Sequence, residues 1–124
     1  MATELSLKSR TGASLGSFDQ VKTKLTRVLP DLEFYWTASG PQKLQVAAER
    51  GIALPPAIKK SLESLPALFE ARHSAPGLFV LIGLGASEPV QELFVQLRGD
   101  NDAALDGIAS ALEREFDAQM GVAS

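Results

Sequence analysis

The chain has 124 residues, of which 45% are hydrophobic and 22% are charged, and its formal net charge is −3. This composition is typical of a folded protein, and the length supports one hydrophobic core, so we expect a single globular domain spanning residues 1–124. The sequence holds no cysteine and one histidine. Disulfides, thiolate metal sites, a cysteine nucleophile and histidine-rich metal sites are therefore excluded.

The first segments of the chain predict a strand followed by a helix. Residues 4–9 alternate between apolar and polar side chains, which indicates a strand. Ser17 and Gln20 have the spacing of a capping box, and the apolar residues after them recur at helical spacing. We expect this amphipathic helix to end before Pro30, because the residue preceding a proline disfavours the helical conformation.

A second strand is predicted by the aromatic, alternating residues 32–37. In this strand Trp36 would enter the core together with Phe34. Tyr35 would then project from the opposite face, where an aromatic side chain can anchor a partner. Tyr35 is therefore a candidate protein-interaction residue.

Two interpretations are open for the segment 42–50. Ser39 and Gln42 would form another capping box, and Gly51 would supply the left-handed position after a helix. Leu44 and the alternate positions after it would instead suit a strand. The caps and the Ala-Ala-Glu-Arg composition favour a helix.

A further helix is predicted to begin at Pro55 and Pro56, with apolar residues on one face as far as Phe69. Pro66 lies inside this pattern, so we expect a kink or a break near Leu65.

The last third of the chain predicts a hairpin and a helix. Residues 78–84 form a continuous apolar run that indicates a central strand buried on both faces, and residues 90–97 alternate as its antiparallel partner. Asp100 would cap the final helix.

The predicted order is β-α-β-α-α-β-β-α. The simplest arrangement is an α+β two-layer sandwich, in which a mostly antiparallel four-stranded sheet carries the helices on one face.

The charge is distributed unevenly along the chain. Residues 1–30 carry a net charge of +3, whereas residues 91–124 carry −5. Two solvated helix faces that lie near each other would account for this difference. Alternatively, four residues would form an acidic docking stripe within about 60° of each other on the last helix, beside its apolar stripe. These candidate interaction residues are Asp102, Asp106, Glu113 and Asp117.

Few residues are candidates for catalysis. His73 precedes a turn, and we interpret it as a surface or helix-capping residue with a weaker alternative role in ligand binding or acid–base chemistry. Asp31 and Glu33 have the chemistry of a carboxylate pair, but no cleft is readable from the sequence. We expect no catalytic residue, no cofactor and no metal. Whether the chain is an enzyme is left uncertain, with non-enzymatic function favoured.

The expected function is that of a small, acidic, non-enzymatic binding or protein-interaction module. A small enzyme or small-ligand domain that uses carboxylates with Tyr35 or His73 is the alternative, and a self-assembling structural subunit is a further one. The net negative charge argues against nucleic acid as a partner. The longest apolar run is shorter than the roughly 20 residues that span a bilayer. We expect a cytoplasmic, bacterial protein with a protein partner and no membrane partner, and homo-oligomerisation is left open.

Overall fold

A computed structural model of the chain describes residues 2–122, including the side chains of residues 4–121. The strands are Ala2–Ser9 (β1), Glu33–Trp36 (β2), Phe69–Ala75 (β3), Leu78–Gly85 (β4), Glu92–Gly99 (β5) and Ala118–Val122 (β6). The helices are Phe18–Val28 (α1), Gly40–Glu49 (α2), Pro56–Glu63 (α3) and Asp102–Phe116 (α4).

The strands form one sheet in the order β2-β3-β4-β5-β1-β6, and every neighbouring pair is antiparallel. The α+β class and the antiparallel sheet are thus confirmed. The prediction of four strands is wrong, because β3 and β6 complete a sheet of six. Neither segment carries a strong strand pattern of its own. Pairing with β2 and β4 stabilises β3 in the extended conformation, and pairing with β1 stabilises β6.

One face of the sheet carries the core. The helices α1 and α4 pack against this face and against each other, so the predicted helix layer is confirmed for these two helices. The buried residues that join the two layers include Val21 and Leu25 of α1, Leu105, Leu112 and Phe116 of α4, and Leu7, Val80, Ile82, Leu93, Val95 and Leu97 of the sheet.

The predicted charge asymmetry has a structural counterpart on these helices. Arg27 near the end of α1 donates to a carboxylate oxygen of Glu115 on α4, at 3.1 Å. The basic and acidic helix faces therefore lie side by side, as the first of the two interpretations requires.

Most of the predicted helix ends are confirmed. Ser17 with Gln20 and Ser39 with Gln42 both form complete capping boxes, and the segment 42–50 is accordingly helical. At α4 the cap is Asn101, whose side chain accepts a hydrogen bond from the backbone N–H of Ala104. The prediction of Asp100 as the cap is wrong by one residue.

The helices α2 and α3 depart from the predicted layer. They pack mainly on each other as a hairpin between β2 and β3, and their larger apolar side chains are only partly buried. Helix α3 ends at Glu63, before Pro66, in agreement with the predicted break near Leu65. Phe69, which the helical spacing placed on the same helix, lies in β3 because the break at the proline releases the chain into the sheet.

The predictions that Trp36 is in the core and that β4 is buried on both faces are wrong. Trp36 is 52% exposed, because β2 is an edge strand and the indole packs only at the rim, against Phe18 and Phe69. The β4 strand is buried on one face rather than two, since Leu81 and Phe79 lie on the face that no helix covers within the described residues.

The α2–α3 hairpin depends on one close approach of backbone to backbone. Gly40 is buried at the start of α2, and its N–H donates to the carbonyl of Leu65 at 2.7 Å. A Cβ at this position would overlap the backbone carbonyl of Leu62. A backbone group cannot rotate away as a side chain does, so α3 would have to move.

We therefore expect Gly40→Ala to destabilise the chain by about 2 kcal/mol, within the usual range for overpacking. Gly107→Ala in α4 is the matched control, because nothing lies within 4 Å of its added Cβ. Alanine there should stabilise the helix by about 0.5–1 kcal/mol. Urea unfolding of both variants measures the difference, and equal effects would contradict the proposed close packing.

Candidate interaction surface

The second face of the sheet is uncovered by any helix among the described residues. The register directs every second side chain of each strand, from β2 to β6, toward this face. We call this surface the open face. Its residues are Glu33 and Tyr35 of β2, Glu70, Arg72 and Ser74 of β3, Phe79, Leu81 and Gly83 of β4, Glu92, Phe94, Gln96 and Arg98 of β5, Glu4, Ser6 and Lys8 of β1, and Gln119 and Gly121 of β6.

A shallow hollow of about 350 Å³ lies near the centre of the open face. Gly83 and Gly85 contribute no side chains to it, while Phe94, Leu81 and Leu68 form apolar walls. Phe94 is the direct cross-strand neighbour of Gly83 and is 53% exposed. A large exposed ring therefore stands beside an unfilled position of the same face.

Carboxylates stand at the rim of this hollow. Glu4 accepts a hydrogen bond from Nε2 of Gln96 at 3.2 Å, and Glu70 lies on the β3 side. Cations lie farther along the strands, where the Arg72 guanidinium is 5.6 Å from the Tyr35 ring centroid and the Arg98 guanidinium is 5.7 Å from that of Phe79. The open face thus combines an apolar centre with charges of both signs.

Tyr35 lies on the open face, half-buried at the β2 edge. Partial burial, followed by the charge of the neighbouring Glu70 carboxylate, raises the pKa of the Tyr35 phenol above its ordinary value. The positive charge of Arg72 acts in the opposite direction, and side-chain hydrogen bonding to Glu70 adds to the increase.

This shift has a measurable consequence, because Tyr35 is the only tyrosine of the chain. The phenol of the unfolded chain titrates near 10, so its neutral form contributes to stability below that pH. This contribution is lost as the pH rises through the higher pKa of the folded state. Phenolate absorbance should therefore appear at higher pH in the folded chain than in urea. Coincident titration curves would contradict the geometry, and Glu70→Gln should lower the folded midpoint.

The predicted acidic stripe lies on the other side of the sheet from Tyr35, because α4 packs on the core face. Two of its four residues have local structural roles. The Glu113 carboxylate accepts a hydrogen bond from the backbone N–H of Met120 at 3.1 Å and so joins α4 to β6. Asp117 ends the helix with a left-handed φ of 47°. Asp102 and Asp106 are exposed on α4. A basic partner for this stripe stays a prediction.

His73 lies in the middle of β3, opposite Val80, and not near the end of a helix as expected. It borders a cavity of about 470 Å³ together with Asp31, Glu33, Arg72, Ser74 and Phe79. The structure thus brings the histidine and the two carboxylates to one place. Within the described residues His73 makes no ion pair or hydrogen bond that would orient it as a general base. Over the same range, no group of three or more acidic or histidine side chains is arranged to hold a metal ion.

The sequence pattern contains a signal for the open face that received no functional interpretation. Residues 92–99 alternate, and with Leu93, Val95 and Leu97 in the core, Phe94 must point away from it. A large aromatic ring on the polar side of a strand is the feature that indicates a binding surface. Glu70 and Arg72 carried no such signal, because their segment was not predicted as a strand.

No protein-family model, no curated protein and no solved structure matches this chain. Among residues 2–122, no helix combines the length and the hydrophobicity needed to cross a bilayer.

Proposed function

We propose that the chain is a non-enzymatic protein-interaction module that binds another protein surface through the open face of its sheet. The observation that carries this proposal is the exposed Phe94 beside the hollow over Gly83. Exposed apolar patches rimmed by polar groups are typical of protein-binding surfaces, and aromatic residues next to a pocket dominate the binding energy of many interfaces.

The position of the open face on the molecule supports the same interpretation. The strands that form it are fixed from behind by the core, with Leu93, Val95 and Ile82 fully or almost fully buried. Its side chains therefore stand on a rigid support. Binding to such a surface loses little conformational entropy, which is the cost that limits association of flexible segments.

The charges of the open face favour a protein over nucleic acid or an anionic lipid surface. Its acidic residues slightly outnumber its basic ones, and Arg72 and Arg98 lie over aromatic rings. Phosphate groups require a field of free cations. A protein surface of mixed charge with apolar side chains at its centre is the better complement.

A second candidate function, binding of a small ligand, is supported by the cavity beside His73. Its volume falls within the range of ligand sites, and its lining combines carboxylates, a guanidinium and an imidazole. A screen of small polar compounds, read out by the NMR shifts of the His73 ring, tests this candidate. Binding that His73→Asn abolishes would support it, whereas the interaction proposal expects no such ligand.

Photo-crosslinking tests the interaction proposal. Benzoylphenylalanine at position 94 should form a discrete adduct with a protein, in lysate or with the purified chain, and Gly83→Val in the same chain should suppress it. Benzoylphenylalanine at position 52 is the matched control, because Ile52 is equally exposed at 52% but lies after α2, away from the open face. Equal, diffuse labelling from both positions would contradict the proposal.

A further inference from the structure

The open face of this chain is complementary to itself, and this complementarity follows from the strand register. Neighbouring residues across the sheet form rows. The central row runs Ser6, Phe94, Gly83, Glu70 across β1, β5, β4 and β3, and the row beside it runs Glu4, Gln96, Leu81, Arg72. A third row holds Arg98, Phe79 and Ser74 on β5, β4 and β3.

We infer that two copies of the chain associate through their open faces, about a two-fold axis that runs along the strands between β4 and β5. This inference rests on the proposed function and names the occupant of its docking surface. Such an axis places β4 of one copy over β5 of the other, and β1 over β3. Each row of one copy then faces the same row of its partner. Phe94 then faces the partner's Gly83, and the hollow of each copy receives the ring of the other.

The same operation pairs opposite charges. Glu4 on β1 faces the partner's Arg72 on β3, and because the axis is two-fold, this pair occurs twice in the dimer. In the third row, Arg98 faces the partner's Phe79, which preserves the cation–aromatic stacking that already exists within each copy. Phe94 therefore meets a glycine and Glu4 meets an arginine in this arrangement.

A two-fold axis at a neighbouring position would not bring complementary side chains together. An axis along β4 would place Phe94 against the partner's Glu70 and Glu4 against the partner's Glu33. An axis along β5 would place Leu81 against the partner's Glu4. Like charges or an apolar side chain against a carboxylate would then be buried, which costs free energy. The register thus favours the axis between β4 and β5 over the axes along β4 and along β5.

The size of the open face agrees with a reversible dimer. Six strands span about 29 Å, and seven residues of strand span about 23 Å. Stacking would bury about 600 Å² per protomer, or about 1,200 Å² in total, which lies at the low end of specific interfaces. We therefore expect weak, reversible association.

Charge exchange tests the axis directly. Glu4 and Arg72 are both exposed, so reversing either should leave the fold unchanged, which circular dichroism checks. In sedimentation velocity, Glu4→Arg and Arg72→Glu should each weaken dimerisation about 10-fold or more, because each creates two like-charge contacts. The double variant Glu4→Arg/Arg72→Glu should associate within about 3-fold of the native chain. Lys59→Glu on α3, away from the open face, is the control and should change nothing.

The possible results separate the proposed dimer axis from the proposed function. Recovery of the dimer in the double variant supports the axis, since the axes along β4 and along β5 do not bring Glu4 and Arg72 together. A native chain that stays monomeric at several hundred micromolar overturns the inference. Loss of association in a single variant without recovery in the double one also overturns it. An adduct of position 94 with a different protein would leave the proposed function intact while the dimer fails, so the two failures are distinguishable.

Discussion

Replacing Leu112 with alanine is expected to lower the free energy of unfolding by about 3 kcal/mol. Leu112 is 0% exposed, on the stripe of α4 that packs against α1 and the sheet. Truncation removes apolar contacts and leaves a cavity, which the surrounding helix and strands cannot close because their backbones are fixed by hydrogen bonds.

Urea unfolding at a low protein concentration, where the chain is monomeric, measures this effect. Val46→Ala in α2 is the control, because Val46 is 45% exposed and truncation there creates no cavity. It should cost less than about 0.5 kcal/mol. A loss below about 1 kcal/mol for Leu112→Ala would contradict the two-layer packing of α4 on the sheet.

Filling the hollow with Gly83→Val is expected to weaken docking at the open face at least 10-fold while the fold remains intact. An added Cβ at position 83 would lie 3.7 Å from Cβ of Phe94, an ordinary van der Waals contact, and the backbone there is not left-handed. Glycine inside a strand costs about 0.5–1 kcal/mol relative to alanine, so the variant should be at least as stable as the native chain. The valine methyl groups would occupy the space that a partner's side chain needs.

Two measurements separate stability from binding in this variant. The urea midpoint should stay equal or rise, and self-association in sedimentation should weaken at least 10-fold. Gly83→Ala is the matched control, because a single methyl group fills the hollow only in part and should give a smaller loss. Native-like association of Gly83→Val would show that the hollow takes no part in docking.

Local signals predicted the helices well, because their determinants lie within a few residues of one another. Both capping boxes, at Ser17 and at Ser39, form as their spacing indicates, and α3 ends at Glu63, before Pro66. The missing strands have a different origin. After Phe69, the positions of β3 on the core side of the sheet are Ala71, His73 and the exposed Ala75, which are too small or too polar to give a visible alternation. Hydrogen bonds to the neighbouring strands β2 and β4 define β3, and these are tertiary contacts that no local pattern reveals.

The candidate site was predictable only in part for the same reason. The alternation in residues 32–37 placed Tyr35 opposite the core, and it lies on the open face. The relation of Phe94 to Gly83, or of Glu4 to Arg72, depends on which strands are neighbours and in which register. Residues 4 and 72 are joined through two intervening strands, an arrangement that the pairing of the sheet determines.

The most direct measurement of the central claim is a series of NMR spectra of the chain, recorded from micromolar to about 1 mM concentration. The signals of Leu81, Phe94 and Arg72 are expected to shift with concentration, while those of buried Leu112 on the far side of the sheet stay fixed. Signals of the open face that do not move over this range, or shifts confined to the α2–α3 hairpin, would contradict association through the open face.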